Sequence, residues 1–353
     1  MHEYLCQRPK FLRVGLIGYG YAGKTFHAPL INATPGLSLV AIASSRPADV
    51  LADWPDIVVK TEPDRLLAHP GLDLVVIAAP NDAHYPLARA AIAAGKHVVI
   101  DKPFTLNVRE AEDLSVRAEQ AGLLLSVFHN RRWDNDFIAL NEMLQSGVLG
   151  NVVEFTSRFD RYRPEVKARW REANVAGAGL WYDLGPHLID QTLQLFGMPN
   201  AVTADLALRR SGALAVDDFH VILHYPKMRA ILAASTLVSG GTARFLVQGT
   251  EGAWSVNGLD AQETWLKAGL LPEHAAWGDD PRQAQHFQSQ NDQISAKALP
   301  LPAGNYAAYY AGIRDALLGL GESPVTAAQA RNVMRIIDLA IQSDAQGCRV
   351  MVL

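Results

Sequence analysis

Cysteine is almost absent: Cys6 and Cys348 stand at opposite ends of a 353-residue chain. Two distant thiols make neither a disulfide framework nor a zinc ligand set, so a reducing cytosol is the expected compartment. No apolar run reaches the ~20 residues that a membrane-spanning helix requires. Met1–Lys10 lacks the apolar centre of a secretion signal. A basic block is missing too, and a net charge of −4 with a pI near 6.3 speaks against nucleic acid as the main partner. No fixed-period repeat and no His/Asp/Glu set with metal-binding spacing occur. What remains is an ordinary solvated surface with 19% charged residues, over enough apolar material (49%) to fill two cores without staples.

The first part alternates short apolar runs with amphipathic stretches. Arg13–Gly18, Leu37–Ala43, Leu72–Ala79, Lys96–Ile100 and Leu123–Phe128 read as buried strands. Tyr85–Ala94 and Val108–Ala121 carry apolar residues at helical spacing, and a helix is expected to run from the first glycine-rich turn to about Asn32. Strands separated by helices imply βαβ units and a mostly parallel sheet. After Phe128 the pattern changes to a helix over Asn135–Ser146 and then strand-like runs joined by tight turns, which predict a large, mostly antiparallel sheet. One helix, Trp181–Leu195, interrupts that series, and two more, Ala307–Leu318 and Ala327–Gln346, close the chain. Asp279–Gln293, rich in Gln, Asp and Asn, reads as an exposed loop. The expectation is a Rossmann domain over residues 1–128 and an α+β domain over 129–353, which holds the substrate and mediates oligomer contacts.

Directly after the first strand, Gly18, Gly20 and Gly23 spell G-x-G-x-x-G around Tyr21. One glycine permits the tight turn, the next admits a pyrophosphate to the backbone, and the third packs helix on strand. Gly18–Thr25 also spells the phosphate-loop pattern G-x-x-x-x-G-K-T, with Asp101 as a conceivable magnesium ligand. A phosphate loop does not require Gly20, however, and Asp101 runs straight into Lys102-Pro103, so dinucleotide binding is the stronger reading. An NAD-specific domain places a carboxylate after the second strand. Here Ser44, Ser45 and Arg46 stand there, two hydroxyls and a guanidinium that suit a 2′-phosphate. NADP(H) is therefore the preferred cofactor, with NAD(H) admissible.

Four further segments complete a pattern: Ala79-Pro80-Asn81-Asp82-Ala83-His84, Ala94–Pro103, Gly177–His187, and Asn305-Tyr306. Together they resemble the glucose–fructose oxidoreductase / inositol dehydrogenase (Gfo/Idh/MocA) family over nearly the whole chain. Phe128–Asp134, Asp160–Pro164, Arg169–Glu172 and Asp190–Thr192 narrow the likeness to a subgroup that contains NADP-dependent scyllo-inositol dehydrogenases. There are two departures, Asp101 for the usual Glu and Ala178 for the middle glycine of a triplet.

The resemblance implies that Lys102 polarises a substrate hydroxyl, through a Lys-Pro peptide that is often cis. Taken alone, a lysine after a strand is more often a solvated loop charge. Asp183 and His187 lie one turn apart on a helix, so a carboxylate could orient an imidazole that takes the hydroxyl proton. The bland reading is a plain helical pair. Pro80, Asn81 and His84 are expected to line the cofactor cleft. The Arg-, Trp- and Tyr-rich stretch His129–Arg171 suits either a polyhydroxylated ring or an interface, with Asn130, Tyr162 and Arg163 as candidate substrate contacts. The resemblance implies a homo-oligomer, dimer or tetramer, that interconverts a ring hydroxyl and a ketone of a small polyhydroxylated substrate. The best single substrate is scyllo-inositol; the alternatives are an aldose or keto-sugar, or a sensor that binds dinucleotide without turnover.

Overall fold

The computed structural model describes residues 11–290 and 293–352. Cys6 and the Met1–Lys10 stretch lie outside them. The first sheet is built from β1 (Leu12–Ile17), β2 (Leu37–Ala43), β3 (Val58–Lys60), β4 (Leu74–Ile77), β5 (His97–Ile100) and β6 (Leu125–Val127). Its helices are α1 (Ala28–Asn32, entered through a π-helical turn Gly23–His27), α2 (Pro47–Asp53), α3 (Pro63–Leu67), α4 (His84–Ala93) and α5 (Val108–Gln120). All six strands are parallel, in the order β3-β2-β1-β4-β5-β6. Every residue of β4 is buried, as expected for a central strand covered by helices on both faces. The strand order reverses between β1 and β4, the switch point beside which doubly wound sheets bind their ligands.

The second part comprises α6 (Asn135–Gln145), β7 (Val152–Arg158), α7 (Gly179–Phe196), β8 (Ala201–Ala207), β9 (Asp218–His224), β10 (Arg229–Ser235), β11 (Ala243–Gly249), β12 (Gly252–Asn257), α8 (Gln262–Lys267), β13 (Gln283–Gln290), β14 (Gln293–Pro300), α9 (Ala307–Leu317), α10 (Ala327–Gln346) and β15 (Val350–Met351). Nine strands form one sheet, antiparallel throughout except where β7 runs parallel to β10. Past the strand end Arg161 N still donates to Ser235 O at 2.9 Å, while Arg163 N, donating to Thr236 O at 2.7 Å, belongs to an isolated antiparallel bridge between Tyr162 and Leu237. Helix α7 packs on β9 and β10, with Trp181 edge-on to Phe219 at 4.9 Å. It is buried on most of its circumference, and Gly185 leaves room for the Trp181 ring. Helix α10 begins with a capping box (Thr326, Gln329) and ends at Gly347 in the left-handed conformation.

One segment departs from the sequence reading. Much of Asp279–Gln293 is the hairpin strand β13, paired with β12 and β14, rather than a loop. Backbone ladder bonds on both sides hold β13 whatever its side chains are, and polar side chains on β14, the edge strand, discourage pairing with other chains. The alternation that marks a half-buried strand is therefore weak here, with Ala284 the one clearly buried side chain among the described side chains of β13.

Candidate active site

Gly18 ends β1 at φ 96°, and a side chain there would collide with the Ala78 carbonyl. A Cβ at Gly23 would strike the Gly18 carbonyl. At Gly20 a Cβ would meet nothing within 4 Å. Two glycines are thus required by packing, and the third opens onto free space at a helix entrance, the shape a pyrophosphate needs. The phosphate-loop alternative loses its parts: Lys24 is paired with Asp53 at 2.6 Å, and Asp101 accepts from the Lys102 N–H at 2.9 Å and faces His27.

The turn opens onto a cleft of about 1040 Å³ lined from both sheets. Gly18, Gly20, Tyr21, Ser44, Ser45, Arg46, Pro80, Asn81 and Lys102 all contribute to its wall. Arg46 stands at the start of α2 and is 61% exposed along its side chain. One guanidinium nitrogen donates to Tyr19 O at 3.1 Å and another faces Asp49 at 3.3 Å, which holds the fork at the end of β2. Tyr21 reaches across to the second sheet's side, where its hydroxyl donates to Glu263 of α8.

Lys102 follows β5, and its peptide bond to Pro103 is cis. The Lys102 ammonium donates to Asp183 Oδ1 at 2.9 Å and to the Asp183 carbonyl at 2.7 Å. Burial alone would raise the Asp183 carboxyl, but Lys102 and Arg171 outweigh it and hold it below its ordinary value. Asp183 therefore spends its charge on Lys102. The pairing of Asp183 with His187 read from their helical spacing is not formed: His187 Nδ1 is buried without a hydrogen-bond partner among the described residues. The His187 side chain lines the cleft. Burial, and after it the charges of Lys102 and Arg131, push its pKa well below the usual imidazole value, so the ring is neutral and able to accept a proton.

His84 does not line the cleft. It is buried beneath it, with its ring nitrogens 2.7 Å from Pro103 O and 3.0 Å from Ala79 O, so it braces the two loops that carry Lys102 and Asn81. Asn81 in turn donates to Gly177 O at 2.8 Å. The Ala178 departure is harmless for a local reason. Gly177 and Gly179 have φ of 76° and 89°, where glycine is favoured, while Ala178 sits at an ordinary −82°. Asn130 and Arg163 line the cleft, but Tyr162 points away and is 60% exposed. Successive residues of an extended strand face opposite sides, so Arg161 and Arg163 share the inner face and Tyr162 cannot. Arg161, Arg171, Glu263 and Lys267 also line the cleft. Sequence reasoning missed them, although that alternation would have found Arg161.

Comparison with known proteins places these features. Residues 12–129 match the family model described as an oxidoreductase family with an NAD-binding Rossmann fold. Residues 141–352 match its C-terminal alpha/beta domain. The chain belongs to the Gfo/Idh/MocA oxidoreductase family. The uncharacterized oxidoreductase YdgJ of Escherichia coli is 52% identical over 94% of this chain and 96% of its own. The scyllo-inositol 2-dehydrogenase (NADP(+)) IolW of Bacillus subtilis is 39% identical over 96% of each. A solved oxidoreductase structure from Yersinia pestis superposes with a TM-score of 0.93 at 51% identity, covering 97% of both chains. As in the rest of the family, the nucleotide domain is a Rossmann fold and the second domain a mixed, mostly antiparallel α/β unit. Among the described residues of this member no helix is long and apolar enough to cross a membrane, and no cluster could hold a metal ion.

Proposed function

We propose that the protein interconverts a ring hydroxyl and a ketone of a cyclitol or sugar with NADP(H), scyllo-inositol and scyllo-inosose being the best single pair. The observation that carries this reading is the Lys102–Asp183 ion pair beside a neutral His187, at a point where the dinucleotide cleft meets the second domain. A bound nicotinamide would accept or return the hydride. Lys102 would donate to the substrate oxygen and stabilise the alkoxide that develops. His187 would take the hydroxyl proton, and Asp183 would position the Lys102 ammonium rather than the imidazole. Gly18, Gly20, Tyr21 and Gly23 would seat the pyrophosphate, and Ser44, Ser45 and Arg46 the 2′-phosphate. IolW, named for NADP-dependent scyllo-inositol oxidation, supports the substrate and the cofactor.

We further propose a cytoplasmic homo-oligomer, dimer or tetramer, joined through the nine-stranded sheet, whose outer residues include the exposed Val153 and Ile294. A turnover screen of cyclitols, aldoses and keto-sugars with NADP and NAD, followed at the reduced-nicotinamide absorbance, tests the reading. Turnover of a ring polyol with NADP is expected. Dinucleotide binding without turnover across the panel would replace the enzyme with a sensor.

A further inference from the structure

The cleft wall carries more cation than its own carboxylates use. Arg131 is bound to Asp134 and Glu263, Arg169 to Glu172, and Arg210 to Asp217 and Glu172. These three are structural. Arg161, Arg163 and Arg171 are not accounted for in this way. Among the described residues, the Arg161 and Arg163 guanidinium groups form no ion pair. The carboxylate nearest Arg171 is Asp183, 3.9 Å away and already engaged by Lys102 at 2.9 Å.

Arg161 and Arg163 sit two apart on one face of the extended segment that continues β7, a spacing at which like charges repel. Arg161 stacks on the Phe159 ring at 5.0 Å and is mostly withdrawn from water. Burial lowers its pKa, and Arg163 and Arg131 add to that, against the opposing pull of Asp183. Three guanidinium forks on the wall of one cleft, none of them closely paired with a carboxylate of its own, are left ready for an incoming planar or tetrahedral oxyanion.

The cofactor's own phosphates are not that anion. They belong at the glycine turn and at Arg46, whereas Arg161 and Arg171 interact with Asp183, at the reacting end beside Lys102. We propose that Arg161, Arg163 and Arg171 form an anion subsite, and that the preferred substrate ring carries a carboxylate or a phosphate. This rests on the oxidoreductase reading above and narrows its substrate class: neutral cyclitols should turn over, but less well than an acidic ring.

The test is kcat/KM of the full chain with NADP for matched substrates: glucose against glucuronate and glucose 6-phosphate, galactose against galacturonate, with scyllo-inositol as the neutral reference. An acidic member is expected to exceed its neutral counterpart by about 10-fold or more, and whether sugar acid or sugar phosphate leads identifies the anion. Arg161→Gln and Arg163→Gln should each reduce the acidic-to-neutral ratio by about 10-fold, while Arg161→Lys restores part of it. A neutral substrate equal to or better than its acidic partner, or a ratio that neither variant alters, overturns the subsite and leaves the oxidoreductase reading standing. If nothing on the panel turns over, that reading fails and the subsite is judged by calorimetric titration of NADPH-loaded protein with galacturonate and glucose 6-phosphate. Binding that weakens in both Gln variants keeps it; absence of binding, or binding indifferent to both variants, removes it.

Discussion

Lys102 and Asp183 are joined twice, through the carboxylate at 2.9 Å and through the Asp183 backbone carbonyl at 2.7 Å. The lysine follows the last-but-one strand of the parallel sheet and the aspartate lies on the helix that packs on the second sheet, so one ammonium ties two domains across the wall of the cleft. A lysine held this way loses little freedom when a substrate arrives, which is the condition under which an electrostatic contact is effective in a transition state.

Lys102→Ala is expected to lower kcat by about 10²-fold, with NADPH affinity changed much less. Asp183→Asn should lower it by about 10-fold or more, and the double variant should be little worse than Lys102→Ala, because residues acting as one unit are not additive. Steady-state kinetics and a cofactor titration on the three folded variants check this. Fully additive losses would mean that the two residues act separately.

The base assignment has a sign attached. His187 has a depressed pKa, so the acidic limb of kcat/KM for oxidation should lie below the ordinary imidazole value of 6.5, with activity rising as pH increases through it. Lys102 is one of the charges that depress it, so Lys102→Met should move the limb to higher pH even as the rate falls. His187→Ala should abolish the limb and cost roughly 10²- to 10⁴-fold. A limb that stays in place in His187→Ala belongs to another group.

Arg46 is expected to set the cofactor preference. NADPH should bind more tightly than NADH, and Arg46→Ala should shrink the difference by about 10-fold, the effect of losing one charged partner of a phosphate. Fluorescence titration with both nucleotides measures it. Equal affinities in the unaltered protein would transfer the 2′-phosphate contact elsewhere or remove it.

His129 predicts acid lability. Both its ring nitrogens are buried without partners among the described residues, and burial lowers its pKa from 6.5 to about 4. The unfolded chain then binds the proton more readily than the folded one. Stability should fall as pH drops from about 6.5 towards 4, by up to about 3 kcal/mol from this one group. His129→Gln should flatten that part of the stability curve in urea unfolding at several pH values. An unchanged slope would assign the lability to other groups.

How much of this was legible in the sequence depends on what each residue answers to. The glycine turn, Lys102 and His187 stand where a backbone motif places them, and the motif is visible in the sequence. His84 belongs to such a motif too, yet its ring turned inward, its two nitrogens facing the Pro103 and Ala79 carbonyls. Asp183 has two geometrically possible partners, and only the packing of one domain on the other decided for Lys102. Tyr162 and Arg163 could not both face the cleft, a conflict that a period of two makes plain once the segment is known to be extended. The β13–β14 hairpin was hidden because a polar edge strand has no apolar face to announce it.

The nucleotide-binding sheet is completed by α9, α10 and the segment between them. Val108 N donates to Asp338 of α10 at 2.9 Å, Ser126 of β6 to the Val325 carbonyl at 2.7 Å, and the His27 ring meets the Tyr310 hydroxyl of α9 at 2.6 Å. During synthesis, then, the Rossmann half emerges early but lacks one of its walls until α9 and α10 leave the ribosome, since domains pack only what has already been made. A ribosome-bound nascent chain stopped before α9 should expose the buried surface around Phe128 and recruit holdases, and full protease resistance of the first domain should coincide with emergence of α10 rather than with completion of β6.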